Sequence, residues 1–184
     1  MEKFIYKIVI GGAGGVGKTT LLLRYLQGIF KEDTGITIGV SFFNKSVQRS
    51  GAFVNLAIWD LGGQERFRVV QPHYVLGAKA AIVFFDMARP ETMQQIKEWV
   101  TMFRDNVHTS IPIILCGTKQ DLLQQESVKK VYNEAVKAVD ILGLDHFYPT
   151  SAKNGLNVEA VFNHIVDFLL SQVVMENPEI AAVL

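Results

Sequence analysis

One cysteine among 184 residues rules out an intrachain disulfide framework. Cys116 lies inside an apolar run over residues 111–116, where a thiol behaves as a small buried hydrophobe. Charge of one sign is also missing. Eighteen Lys and Arg balance eighteen Asp and Glu, so the formal net charge is zero. Such a chain has no electrostatic footprint for nucleic acid as its main partner, and no basic run that would hold it to an anionic membrane. No apolar stretch is expected to reach the ~18 residues that span a bilayer. The start, Met1-Glu2-Lys3, has neither an apolar signal region nor a glycine for myristoylation. The end, Ala181-Ala182-Val183-Leu184, offers no cysteine for prenylation. These absences lead to the expectation of a protein of the cytoplasm, a reducing compartment, that meets a membrane only through a further tail or a partner. Internal repeats, low-complexity tracts and linkers are absent as well.

Hydrophobic residues make up 49% of the chain, which is enough to build one substantial core. Short β-rich apolar runs occupy residues 6–10, 54–59, 80–85, 111–116 and 146–148. Residues 40–47 form a further strand candidate, joined to 54–59 through Ser50-Gly51 as a hairpin. Helical periods lie between them. Met93, Ile96, Val100 and Phe103 mark one; Val128, Val131, Tyr132, Ala135, Val136 and Val139 mark another, with Gly143 as its stop. Val158, Val161, Phe162, Ile165, Val166, Leu169 and Val173 share one face of a third. The alternation predicts an α/β fold: a mostly parallel six-stranded sheet with one antiparallel edge strand and helices on both faces. One domain is expected over residues 1–175, with a short tail over 176–184 that begins to lose the pattern near Asn177-Pro178.

Gly12-Ala13-Gly14-Gly15-Val16-Gly17-Lys18-Thr19 matches G-x-x-x-x-G-K-[ST] in full. Average composition gives such a match in roughly one chain in a hundred of this size. Here it also follows a strand and opens a helix through Leu21, Leu22, Tyr25 and Leu26. Glycines let successive backbone N–H groups curl into an anion nest, and the helix N-terminus adds unpaired donors. Lys18 supplies a point charge for the outer phosphates, and the Thr19 hydroxyl suits Mg²⁺.

Trp59-Asp60-Leu61-Gly62-Gly63-Gln64-Glu65 comes next. A strand that ends in Asp60 puts a carboxylate at the carboxyl edge of the sheet, beside the phosphate loop, where it can hold Mg²⁺ through a water. Gly63 can bring a backbone N–H against a terminal phosphate, and Gln64 can orient an attacking water. Thr37, in the loop between the first helix and the edge strand, can offer a hydroxyl to Mg²⁺ and an N–H to the γ-phosphate. By itself that threonine is equally explained as turn chemistry. Two loops after buried strands suit a base. In Thr118-Lys119-Gln120-Asp121 the carboxylate offers two acceptors to the N1–H and N2 donors of guanine, which adenine lacks. In Ser151-Ala152-Lys153 the Ala152 N–H can donate to guanine O6. Lys119 can cover one face of the base, and Phe30 can pack on its edge.

Together these elements resemble, in order and spacing, the Ras superfamily of small GTPases, over about residues 4–174. Ile38-Gly39-Val40-Ser41-Phe42, Leu56-Ala57-Ile58-Trp59-Asp60 and Gln64-Glu65-Arg66-Phe67-Arg68 are most similar to the Rab branch. The resemblance implies a GTP/GDP switch with Mg²⁺ on the P-loop G-domain fold. Gln64 and Lys18 would be catalytic, and Thr19, Thr37 and Asp60 would hold the metal. Gly14, Gly15, Val16, Gly17, Lys18, Thr19, Thr20, Phe30, Thr34, Thr37, Gly63, Thr118, Lys119, Asp121, Ser151, Ala152 and Lys153 would bind nucleotide. Exchange factors, activating proteins and effectors would be its partners, with Phe42, Trp59 and Tyr74 as an effector-reading triad or simply as half-buried packing. No arginine lies in residues 31–39, so intrinsic turnover is expected to be slow, of order 10⁻⁴ s⁻¹. A side chain at Gly14 is expected to crowd Gln64 and an arginine finger supplied by a partner. Two departures stand out. Leu61-Gly62-Gly63 replaces the Rab Thr-Ala-Gly and is similar to Arf, which is expected to loosen that loop. Thr118 replaces the commoner Asn, which is expected to weaken the tie between base loop and phosphate loop. A P-loop ATPase or small kinase, and a nucleotide-bound scaffold with impaired hydrolysis, remain as alternatives.

Overall fold

Ile8 and Ile10 face one side of the first strand and Val9 the other, and all three are fully buried. A strand buried on both faces belongs inside a sheet that is covered twice. The computed structural model describes residues 2–107 and 110–179, and has that architecture. Strands β1 (Lys3–Gly12), β2 (Val40–Arg49), β3 (Ala52–Leu61), β4 (Ala80–Asp86), β5 (Ile113–Thr118) and β6 (His146–Pro149) form one sheet in the order β2-β3-β1-β4-β5-β6. All neighbours are parallel except the edge pair β2–β3. Each expected strand is present; five run one to five residues longer than their apolar cores, and β5 is instead shifted two residues along, from 111–116 to Ile113–Thr118. Polar or glycine ends such as Lys3, Gly12 and Thr118 still pair.

Helices α1 (Lys18–Gln27) and α5 (Val158–Glu176) cover one face, where Leu21, Leu22, Tyr25, Phe162, Ile165 and Leu169 meet Ile8, Ile10, Ile58, Ile82 and Cys116. Helices α2 (Gln71–Val75), α3 (Ile96–Asp105) and α4 (Gln125–Leu142) cover the other, where Val75, Trp99, Phe103, Val131 and Ala135 meet Val9, Val83, Phe85 and Leu115. The period that begins at Met93 divides in two. Pro90–Gln95 is a 3₁₀ turn with the proline in its first turn, and the α-helix starts at Ile96. Helix α4 stops at Gly143, as its sequence predicts.

The hairpin turn is Ser50-Gly51, with φ of 47° and 76°, so both residues are left-handed as a two-residue hairpin turn requires. Its register runs from Arg49↔Ala52 to Val40↔Leu61. Arg49 forks onto Asp167 of α5 with two contacts of 2.6 Å, which ties the hairpin tip to the far helix.

One expectation needs correcting. Helix α5 has 19 residues and a mean hydropathy of 1.4, enough by length and composition to cross a bilayer. Its apolar residues are spread so that seven are buried against the sheet and α1, the behaviour of a core helix. Helix α5 carries the chain through Glu176, and Asn177–Glu179 follow. The rest of the expected tail, 180–184, lies outside the described residues.

Candidate nucleotide site

Parallel strands deliver their carboxyl ends to one rim, and the motifs sit there. Beyond β1 the chain enters the glycine loop and turns into α1 at Gly17, whose φ of 91° is accessible to glycine without strain. Lys18 is 5% exposed, and its Nζ donates to the carbonyls of Gly12 and Ala13 at 3.0 Å each. Burial pulls its pKa down to about 8, and the nearby Asp60 carboxylate opposes that shift. The cation is held over the loop, short of charge partners, where a polyphosphate would supply them.

Three oxygens converge beside it. The Thr19 hydroxyl donates to Asp60 Oδ2 at 2.5 Å and lies 2.6 Å from the Thr37 hydroxyl. Since Thr19 has one proton and gives it to the carboxylate, Thr37 must donate to Thr19. Asp60 is fully buried, and its second oxygen, Oδ1, has no hydrogen-bond partner among the described residues. Burial pushes its pKa up, against the Thr19 hydrogen bond and the Lys18 charge. A buried carboxylate oxygen without a partner, next to two hydroxyls, is a donor set that fits a hard divalent cation. Thr34 closes the same loop with a hydroxyl 2.9 Å from that of Thr20.

A cavity of about 170 Å³ is lined by Gly14, Gly15, Gly17, Lys18, Thr19, Thr20, Glu32–Thr37, Gly63 and Lys119. A second, of about 250 Å³, is lined by Gly17, Thr20, Leu21, Phe30, Glu32, Thr118, Lys119, Asp121, Leu122, Ala152 and Lys153. The two share Gly17, Thr20, Glu32 and Lys119, so one groove joins the phosphate loop to the expected base loops. Val16, Asp60 and Ser151 stand behind its walls. Gln64 follows Gly63 at the edge without lining either cavity.

The base loops are braced from beneath. Ser151 is fully buried and donates to Asp121 Oδ1 at 2.5 Å, which aims that exposed carboxylate. The Thr118 hydroxyl reaches the Val16 carbonyl and also lies 3.1 Å from the Phe85 carbonyl. The expectation of a weakened tie at Thr118 is therefore corrected, because the shorter side chain spans the gap from a strand end packed close to the loop. Lys119 adds a hydrogen bond to the Gly15 carbonyl at 3.2 Å and an ion pair with Asp86 at 2.8 Å. Asp86 is 1% exposed and also pairs with Arg89 at 2.9 Å, which donates to the Gly15 carbonyl.

One further expectation changes. The Gly62 pair of the switch loop is gripped, not loose. Its N–H donates to the Gly39 carbonyl at 2.7 Å, and its carbonyl accepts from the Gln71 side chain at 2.6 Å. At Gly14 a Cβ would lie 3.9 Å from the carbonyl of Gly63, the residue before Gln64, so any larger side chain there extends toward the switch loop.

No motif marks Asp86, Arg89 or Gln71. For Asp86 a signal exists: it ends β4 at the same rim where Asp60 stands one residue before the end of β3. Glu32 and Leu122 join the groove through loops that carry no pattern of their own. Phe42, Trp59 and Tyr74 do meet, with ring centroids 5.2 Å and 5.7 Å apart, and Lys7 lies 4.4 Å from the Trp59 ring centroid.

Comparison with known proteins places the chain in a family. The Ras family model matches residues 7–171. The Ras-related protein Rab-11A of Dictyostelium discoideum is 34% identical over 163 residues, covering 89% of this chain and 75% of that protein. The Ras-related protein RGP2 of Oryza sativa subsp. japonica is also 34% identical over 163 residues, covering 89% of this chain and 74% of its own length. The Ras-related protein RabJ of Dictyostelium discoideum is 37% identical over 163 residues, covering 86% and 61%.

Proposed function

Since this chain belongs to the Ras family, and is a small GTPase switch of Rab-like type that binds guanine nucleotide, we propose that the nucleotide lies along the single groove between Asp121 and Lys18. The observation that carries this is the continuity of the two cavities through Gly17, Thr20, Glu32 and Lys119. Asp121, aimed by Ser151, takes the N1–H and N2 donors of guanine. Lys119 covers one face of the base, Phe30 packs on its edge, and the Ala152 N–H and Lys153 close the pocket behind it.

At the other end, amides of Gly14, Gly15, Val16 and Gly17 and the start of α1 surround the phosphates. Thr20 and Thr34 border them. Lys18 leaves the Gly12 and Ala13 carbonyls for the phosphate oxygens, and their charge raises its pKa from about 8, so it stays cationic. Thr19, Thr37 and Asp60, the last through a water, would hold Mg²⁺, which would supply positive charge to offset that of the phosphates. Gly63 donates its N–H to the γ-phosphate, and Gln64 orients the water that attacks it. Loss of that phosphate frees Thr37 and Gly63 together, and the loops before β2 and after β3 relax.

Phe42, Trp59 and Tyr74 form the surface that reports this change. Phe42 is 50% exposed beside Ile36 and Ile38, which are 63% and 71% exposed. An effector, an exchange factor and an activating protein complete the cycle. The working location is the cytoplasm, with membrane contact supplied by a tail or a partner.

Single-turnover hydrolysis tests the assignment, with GTP and ATP offered separately to native protein and to Gln64→Leu. GTP is hydrolysed slowly, ATP is not bound, and Gln64→Leu slows the reaction without weakening GDP binding. Equal competition by ATP would remove the role of Asp121. An unchanged rate in Gln64→Leu would remove that of Gln64.

A further inference from the structure

Gln71 opens α2 and is 2% exposed, and its side-chain Nε2 donates to the Gly62 carbonyl at 2.6 Å. A buried side-chain amide spent on one backbone oxygen has a geometric consequence. The peptide between Gly62 and Gly63 is planar and trans, so the Gly62 C=O and the Gly63 N–H point in opposite directions. Holding the oxygen toward α2 turns the Gly63 N–H away from α2. Gly63 lines the phosphate cavity, and its backbone lies so close to the glycine loop that a Cβ there would sit 2.4 Å from Gly14 N.

Two adjacent glycines form the peptide most free to flip, because neither neighbour carries a Cβ. Leu61-Gly62-Gly63 therefore needs an outside restraint to keep that N–H in place. The Gly62 N–H to Gly39 bond fixes the preceding peptide, and Gln71 fixes this one.

We propose that Gln71 is a positioning residue for GTP hydrolysis: its buried amide locks the Gly62–Gly63 peptide with the Gly63 N–H toward the γ-phosphate site. Gln64, the next residue, is thereby held at the groove's edge. The inference rests on the roles given above to Gly63 and Gln64. A flip of this peptide breaks the Gln71 bond and releases the first turn of α2, so the helix senses the terminal phosphate through one hydrogen bond.

The test is Gln71→Met, which keeps the length and volume of the side chain and removes the donor. Measured on the full chain with Mg²⁺ are single-turnover GTP hydrolysis, affinities for GDP and for a non-hydrolysable GTP analogue, and the melting temperature of the GDP form. Loss of one buried hydrogen bond made with the γ-phosphate bound predicts a rate about tenfold lower and an analogue-to-GDP affinity ratio lower by a similar factor. GDP affinity and the melting temperature of the GDP form stay at native values. A variant that melts earlier with GDP yet hydrolyses bound GTP at the native rate overturns the inference, since that is a packing role. So does a variant unchanged in both rate and affinity ratio. Gln64→Leu run alongside separates the two levels. If it slows hydrolysis while Gln71→Met does not, only the role of Gln71 fails. If it also leaves the rate unchanged, the catalytic reading beneath it fails too.

Discussion

Adding one methyl group at position 62 probes how closely the two switch loops approach. A Cβ on Gly62 would lie 2.7 Å from the Thr37 carbonyl oxygen, 2.8 Å from that of Gly39 and 3.3 Å from Gly39 N. All three neighbours are backbone atoms, so no side-chain rotation relieves the overlap, and the loop carrying Thr37 must retreat by roughly half an ångström. Retreat strains the Gly62 N–H to Gly39 bond of 2.7 Å and pulls the Thr37 hydroxyl from its 2.6 Å contact with Thr19. Overpacking of this kind costs about 1–3 kcal/mol. The cost falls only on the arrangement in which Thr37 is drawn in, which is the GTP-bound one in the mechanism above. Gly62→Ala is therefore expected to lower affinity for a non-hydrolysable GTP analogue about ten- to hundredfold relative to GDP, with GDP affinity near native. Competition against a fluorescent GDP derivative measures the ratio directly. A native ratio in a folded Gly62→Ala protein would refute the claim that these backbones are in obligatory contact.

Other perturbations read other parts of the site. Asp121→Asn replaces a carboxylate that accepts from two guanine donors, so guanine affinity should fall at least about a hundredfold. The new amide can donate to a carbonyl at C2, so xanthine nucleotides should gain, and calorimetry with GDP and XDP checks both. Thr118→Val removes the proton shared between the Val16 and Phe85 carbonyls and leaves both short of a donor. Stopped-flow release of GDP should be about tenfold faster. Cys116 is fully buried, and burial pushes its thiol up to about 12, opposed by the Thr150 hydroxyl at 3.4 Å. A thiol reagent at pH 8 should label it only in denaturant. The unfolded thiol ionises near 9.0 and the folded one near 12, so the folded state is favoured below pH 9 and loses that advantage as pH rises through the interval. Cys116→Ala should lack this slope of about 1.4 kcal/mol per pH unit in urea titrations.

The positions of the strands and the α/β layering were legible because buried strands announce themselves, whereas the strand order came only with the structure. The run Ala80–Asp86 is buried at every residue, and β5 likewise. Gly12–Thr19 was legible because phosphate binding demands residues that little else demands. What stayed hidden depended on distance in space. Thr118 looked too short for its task because the sequence does not reveal how near β5 ends to the Val16 carbonyl. Gly62 looked like slack because the carbonyls of Thr37 and Gly39, more than twenty residues earlier, come to it only through the β2–β3 pairing. Neither helix α2 nor any role for Gln71 is marked in the sequence, and both emerge only when the amide is seen buried on Gly62. Helix α5 looked like a core stripe, and it is one, but counting only uninterrupted apolar runs hid how apolar the whole helix is.

The last rung of the edge ladder, where Val40 stands opposite Leu61, has a mechanical meaning. The loop that carries Thr37 ends where β2 begins, and the loop that carries Gly63 begins where β3 ends. Both hang from neighbouring points on one ribbon, anchored at its other end by Arg49 on Asp167. A push on either loop is delivered to the other across this rung and the adjoining Gly62 N–H to Gly39 bond, so an observer touching only one of them learns the state of both. The protein thus broadcasts one bit over two antennas, and a partner can listen at whichever its own shape best fits.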